Sequence, residues 1–193
     1  MKKFILYSLI LSFALISCGG DTEETETVED EPEVDLPFEQ GGAKNAEDYF
    51  SGVVSHVKRV DAKLRYIRDL DDMDASVDSI NTELDSILYL TEEDKKILKM
   101  YESKEWPKTA DFQELTMNWY ASVEMLVNDH FYKLAEPMSR PDKTWSPQDK
   151  ELYYEYETAY FDDFFVTDKE WVAFQKEFAA ANDISLGTDT LGL

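Results

Sequence analysis

The sequence predicts an all-α protein: an antiparallel four-helix bundle with extra short helices, following a disordered acidic tether. Three observations carry that prediction. Apolar residues recur at steps of three and four through nearly everything after Lys44. No stretch alternates apolar and polar residues as a half-buried strand does. The composition, 43% hydrophobic and 13% aromatic, supplies enough apolar side chain to offset the chain entropy of one domain.

Residues 1–17 read as a lipoprotein signal peptide. Lys2 and Lys3 precede an apolar run from Phe4 to Ile16, 13 residues long. A transmembrane helix needs about 20. The run closes on Leu15-Ile16-Ser17-Cys18, which resembles the lipobox of bacterial lipoproteins. That resemblance implies cleavage before Cys18, a diacylglyceryl thioether on its sulfur and N-acylation of the new terminus. Two or three acyl chains, palmitate among them, hold a protein stably at a membrane. A thioether leaves no free thiol for catalysis or metal binding. The single Cys also excludes a disulfide within the chain.

Residues 18–43 are the tether. They hold ten acidic residues and no basic one, so like charges repel and extend them. As a flexible coil the segment spans about 28 Å. Gly19 stands where Asp would signal inner-membrane retention, and Asp21-Thr-Glu-Glu follows. That acidic cluster resembles the surface-export signal of Bacteroidota lipoproteins, which implies an outer-membrane lipoprotein exposed at the cell surface. The whole chain carries 42 acidic and 19 basic side chains, a net charge of −23. Residues 44–193 keep 32 of the acids against 17 bases. Phosphate backbones need the opposite sign, so nucleic acid is excluded as a partner.

The helical domain is expected over residues 44–186, with 187–193 a flexible tail. Ala46, Phe50, Val53, Val57, Val60, Leu64 and Ile67 form a heptad seam, with Asn45 as N-cap. Met73, Val77, Ile80, Leu84 and Ile87 repeat the spacing. Thr91-Glu-Glu-Asp94 reads as a capping signal and predicts a break near Leu90, followed by a short helix that ends at Trp106-Pro107. A third helix is expected over about Thr109 to Glu136, with Trp119, Leu126, Val127, His130 and Phe131 facing inward. Ser146-Pro147 opens the last helix, which runs to about Ala181 with Tyr156, Phe164, Trp171 and Phe178 along its stripe. Thr167-Asp-Lys-Glu170 is a second capping signal that would divide it.

Few residues in the sequence carry a chemical signature. Di-iron bundles need Glu three residues before each His, and Val53 and Val127 stand there. Asp72 to Glu83 mimics a calcium loop, but Val77 occupies the position that requires Gly. No nucleophile elbow, phosphate loop or His-Glu-x-x-His is present. No metal, cofactor or catalytic residue is expected. Lys58, Arg59, Lys63, Arg65 and Arg68 make one helix basic, either to meet lipid phosphates or to pair with an acidic neighbour.

Aromatic residues crowd the last helix beyond what its inward stripe uses. Tyr153, Tyr154, Phe161 and Phe165 are therefore either covered by connections or form an exposed binding surface. The Trp119-Tyr120 helix, the acidic, aromatic last helix and its ending Phe174-Gln-Lys-Glu-Phe178-Ala-Ala-Ala-Asn-Asp-Ile184 resemble small helical surface lipoproteins of Bacteroidota and spirochaetes, a group of unknown function. The resemblance implies fold and location, and no activity. The leading expectation is a non-catalytic, lipid-anchored envelope protein that binds another envelope protein or an external macromolecule. The alternative is a bundle that holds a small amphiphile or metal around Trp119 and His130.

Overall fold

The computed structural model describes residues 43–69, 75–100 and 106–186. The expected signal peptide, Cys18, all of the expected tether but Ala43, the expected tail, Met73 and the acidic residues Asp71, Asp72 and Asp74 lie outside these stretches. The described residues are all-α. The elements are α1 (Ala46–Asp69), α2 (Val77–Lys99), α3 (Thr109–Met125), α4 (Tyr132–Met138), α5 (Pro147–Ala159) and α6 (Phe165–Ala181). A π-helical turn, Leu126–Phe131, joins α3 to α4, and another, Tyr160–Phe164, joins α5 to α6. A short 3₁₀ turn, Asp142–Thr144, lies between α4 and α5. The described elements therefore make four rods: α1, α2, α3 with α4, and α5 with α6.

Side-chain partners run in opposite directions along neighbouring rods, which fixes an up-down-up-down bundle. Between α1 and α2, His56 meets Asp94 and Lys63 meets Glu83. Tyr120 and Tyr132 on the third rod reach Asp94 and Asp85 on α2. Thr116 and Trp119 pair with Trp171 and Asp168 on the fourth rod. The fourth rod returns to the first through Tyr49 with Phe178 and Arg68 with Tyr160.

Local chemistry sets most rod ends. The Asn45 side chain accepts from the Asp48 amide at 2.8 Å, so the expected N-cap of α1 is present. Ser76 caps α2, and Val77, the residue that spoiled the calcium-loop pattern, is its first helical position. Ser146 and Asp149 form a capping box at α5, with Pro147 opening the helix. Hydrogen bonds from Arg140 first, and then from Ser146, hold the Asp149 carboxyl down at about 2. At the far end of α6, Asp183 takes φ 55° and the Ile184 amide donates back to Ala179 O at 2.9 Å. That wrap satisfies an orphan carbonyl of the last turn.

Four sequence expectations change. No break occurs near Leu90: α2 is continuous, and the Thr91 hydroxyl donates to Ile87 O inside the helix. Asp94 is buried and engaged by α1 and α3 rather than by the helix amides. Thr167 likewise donates to Asp163 O, so the fourth rod is interrupted at its π turn and not at a cap. The third rod also extends past Glu136, carrying Pro137 in its last turn. Ala43, placed in the tether by composition, is buried against the core.

The core is largely aromatic where the first turns of α1 and α3 meet the end of α6. Phe112 stacks on Phe178 at 4.8 Å and Phe50 at 5.8 Å, and meets Tyr49 edge-on at 6.2 Å. Offset and edge-to-face ring pairs at such distances add to plain burial. Trp119 and Trp171 sit at the centre, both completely buried, with Asp168 and Thr116 accepting from their indole N–H groups at 2.9 Å each.

Candidate functional site

A ladder of ring contacts leads from Trp145 onto the fourth rod, dips inward at buried Tyr156 and returns to the surface at Phe161. Trp145 contacts Tyr153 at 5.5 Å, and Tyr153 contacts Tyr156 at 5.9 Å. Tyr156 leads to Tyr160, Tyr160 to Phe161 at 5.2 Å, and Phe161 to Phe165 at 6.2 Å. Lys169 closes the ladder, its ammonium 4.1 Å from the Phe165 ring centre in a cation–π contact. Of the four residues singled out as a candidate surface, Tyr153, Phe161 and Phe165 are thus brought together. Tyr154 is the most exposed of the four at 65%, and no ring contact ties it to the ladder among the described residues. Phe161 is 56% exposed. Trp145, from the connection before α5, packs on Tyr153, while Tyr154 and Phe161 stay exposed.

Inward from the ladder a cleft of about 350 Å³ opens between α1 and the two π turns. Leu126 and Phe131 come from the first π turn, Tyr160 and Phe164 from the second. Four charged side chains share the space: Asp61, Arg65, Arg68 and Asp168. Arg65 Nε donates to Asp61 Oδ2 at 2.8 Å. Burial pushes the Asp61 carboxyl up, with nearby Asp168 adding to the shift and Arg65 opposing it. Arg68 donates from Nη1 to the Tyr160 hydroxyl at 3.0 Å, and its guanidinium lies 4.8 Å from the centre of the same ring. Asp168 gives Oδ1 to the Trp119 indole. Both π turns border the cleft, and single π turns inside α-helices recur at functional sites.

The basic face of α1 serves several partners. Lys63 pairs with Glu83 on α2 at 3.0 Å, Arg59 with Asp94 on α2 at 2.9 Å, and Arg65 stays on its own helix with Asp61. Deeper in the bundle lies a polar cluster that the sequence did not mark. His56 Nδ1 donates to Asp94 Oδ1 at 2.5 Å, and the Tyr120 hydroxyl donates to Asp94 Oδ2 at 3.1 Å. His56, Asp94 and Tyr120 are all buried. Desolvation first, and the Asp94 charge second, push the Tyr120 phenol well up. Each polar atom on this carboxylate is spoken for by a donor, an arrangement that positions helices.

Trp119 and His130, the alternative pocket, are not brought together. Eleven positions separate them on one rod, about 16 Å along its axis. Trp119 is enclosed by Tyr120, Phe164 and Trp171, whereas His130 is half-buried. The ligand-sized space lies instead at the π turns, and its walls come from three rods that no local motif could have joined. Among the described residues, no group of three His, Cys, Asp or Glu side chains is placed to hold a metal ion. None of the described helices is long and apolar enough to cross a membrane. No protein-family profile matches the chain, and neither a curated protein nor a solved structure matches it.

Proposed function

We propose that this chain is a non-catalytic, lipid-anchored binding module of the bacterial cell envelope, held by Cys18 and contacting another envelope protein through the aromatic ladder of its fourth rod. The observation that carries the reading is the ladder itself. Tyr156, Phe164, Trp171 and Phe178 already fill the inward stripe, so Phe161 in the ladder, and Tyr154 apart from it, stand in solvent with no fold to hold together. Rigid amphipathic rings of this kind dominate the energetic centres of protein interfaces. The lipobox-like Leu15-Ile16-Ser17-Cys18 and the acidic stretch behind it support outer-membrane anchorage with outward exposure.

A photo-reactive phenylalanine analogue placed at Phe161 or at Tyr154, in cells of the source type, is expected to trap one discrete protein. The same analogue at Tyr89, 66% exposed on α2, is expected to trap none. Identical adduct patterns from all three positions would defeat the surface assignment. Labelling with an alkyne-bearing fatty acid tests the anchor separately: incorporation should vanish in Cys18→Ser, and label retained in that variant would refute it.

A further inference from the structure

We propose that the cleft between α1 and the two π turns binds a small zwitterion with an apolar body, the chemistry of a free aromatic or branched-chain α-amino acid. The charges in the cleft make the case. Asp61 and Arg65 satisfy one another as an ion pair. Asp168 and Arg68 do not: among the described residues neither has an ion-pair partner, and each is held by a neutral group, the Trp119 indole and the Tyr160 hydroxyl respectively. One carboxylate and one guanidinium therefore face the same space with bonding capacity to spare.

The rest of the lining narrows the ligand. Leu64, Leu126, Phe131, Tyr156 and Phe164 give the cleft apolar walls, and all five are buried residues of the core. Its volume, about 350 Å³, falls at the small end of ligand pockets and suits a single amino-acid-sized molecule. A cation alone would meet Asp168 but sit beside Arg65 and Arg68. An anion alone would meet Arg68 but sit beside Asp61 and Asp168. Ammonium and carboxylate on one carbon neutralise both open charges, and the side chain enters the ring-lined wall. Burial lifts the Asp61 carboxyl, and a ligand ammonium close by offsets that desolvation. The inference rests on the cleft alone and stands or falls apart from the ladder reading.

The test is a titration of the full chain with L-phenylalanine and L-leucine, followed by calorimetry and by tryptophan emission. Trp119 bonds directly to Asp168, so occupancy should shift its emission. Phenethylamine and hydrocinnamate, which keep the ring but only one charge each, are the comparison probes. Saturable binding of at least one amino acid is expected, weakened about tenfold or more for each single-charge probe. Arg68→Gln, at an exposed position, and Asp168→Asn, which keeps an acceptor for the indole, should each weaken it by a similar factor. Circular dichroism checks that both variants fold; Arg68→Gln alone decides if Asp168→Asn does not. Equal binding of a single-charge probe, binding indifferent to Arg68→Gln, or no saturable binding of either amino acid would overturn the proposal.

Discussion

Replacing Asp94 by Ala is the sharpest probe of how the bundle is held in register. The carboxylate is 1% exposed and accepts from His56, Arg59 and Tyr120, so its removal strands three donors unequally. The Arg59 side chain is 36% exposed and can turn its guanidinium to water, so its loss costs little. Tyr120 is completely buried, and an orphaned hydroxyl there costs about 1–3 kcal/mol. The imidazole of His56, also buried, adds about 1 kcal/mol. Asp94→Ala is therefore expected to lose about 3 kcal/mol, a sizeable part of the roughly 5–15 kcal/mol of a typical domain. The assay is urea unfolding of the full chain by circular dichroism, run as a double-mutant cycle with Tyr120→Phe. Once the acceptor is gone, Tyr120→Phe should become neutral or stabilising, because it deletes a stranded donor. A loss below about 1 kcal/mol for Asp94→Ala, or a Tyr120→Phe cost unchanged by the Asp94 substitution, would refute the assignment.

Three further outcomes follow from the same contacts. Phe112→Ala removes the ring on which Phe50, Trp171 and Phe178 stack, and should cost about 3–5 kcal/mol in the same urea titration. Ser146→Ala deletes the acceptor for the Asp149 amide and should cost about 1 kcal/mol, with hydrogen exchange accelerated in the first turn of α5. Tyr132, raised to about 12 by burial and by its bond to Asp85, should ionise late in an ultraviolet phenolate titration. Its folded-state value lies above the ordinary phenol value, so its contribution to stability is complete below about pH 10 and declines as pH rises towards 12. Tyr132→Phe should remove that part of the alkaline slope.

The helical order was legible because its signals are local and repeated. The seam from Phe50 to Ile67 lies buried along α1, and Ser146-Pro147 starts α5 where the residues say a helix should start. The two threonine signals misled for a shared reason. A Thr hydroxyl satisfies itself equally well on the carbonyl four residues back, as Thr91, Thr116 and Thr167 all do. The acid three positions after Thr91 then became free for a partner 38 residues away in sequence, His56. Nothing in the neighbourhood of Asp94 announces that pairing. The cleft was hidden on the same grounds, since Asp61, Leu126 and Tyr160 share a wall only after three rods have packed.

One signal for the π turns does stand in the sequence. The inward residues of the fourth rod step from Tyr156 to Phe164 to Trp171 to Phe178. The last two steps are heptads, while the first is a residue longer, and an unbroken α-helix would turn Tyr156 about 80° away from Phe164. A π turn over Tyr160–Phe164 absorbs the extra position. The third rod has the same difficulty, because Trp119, Val123, Val127 and Phe131 advance by fours and all are buried. Its π turn lies over Leu126–Phe131. Keeping these seams inward has a geometric consequence: each extra residue widens the helix locally and displaces a neighbour outward. Phe161, inside the second π turn, stands in solvent, and both widened turns line the cleft beside α1. Phe161 and the cleft thus both lie at the π turns, whereas Tyr153, Tyr154 and Phe165 stand on the α-helical segments to either side.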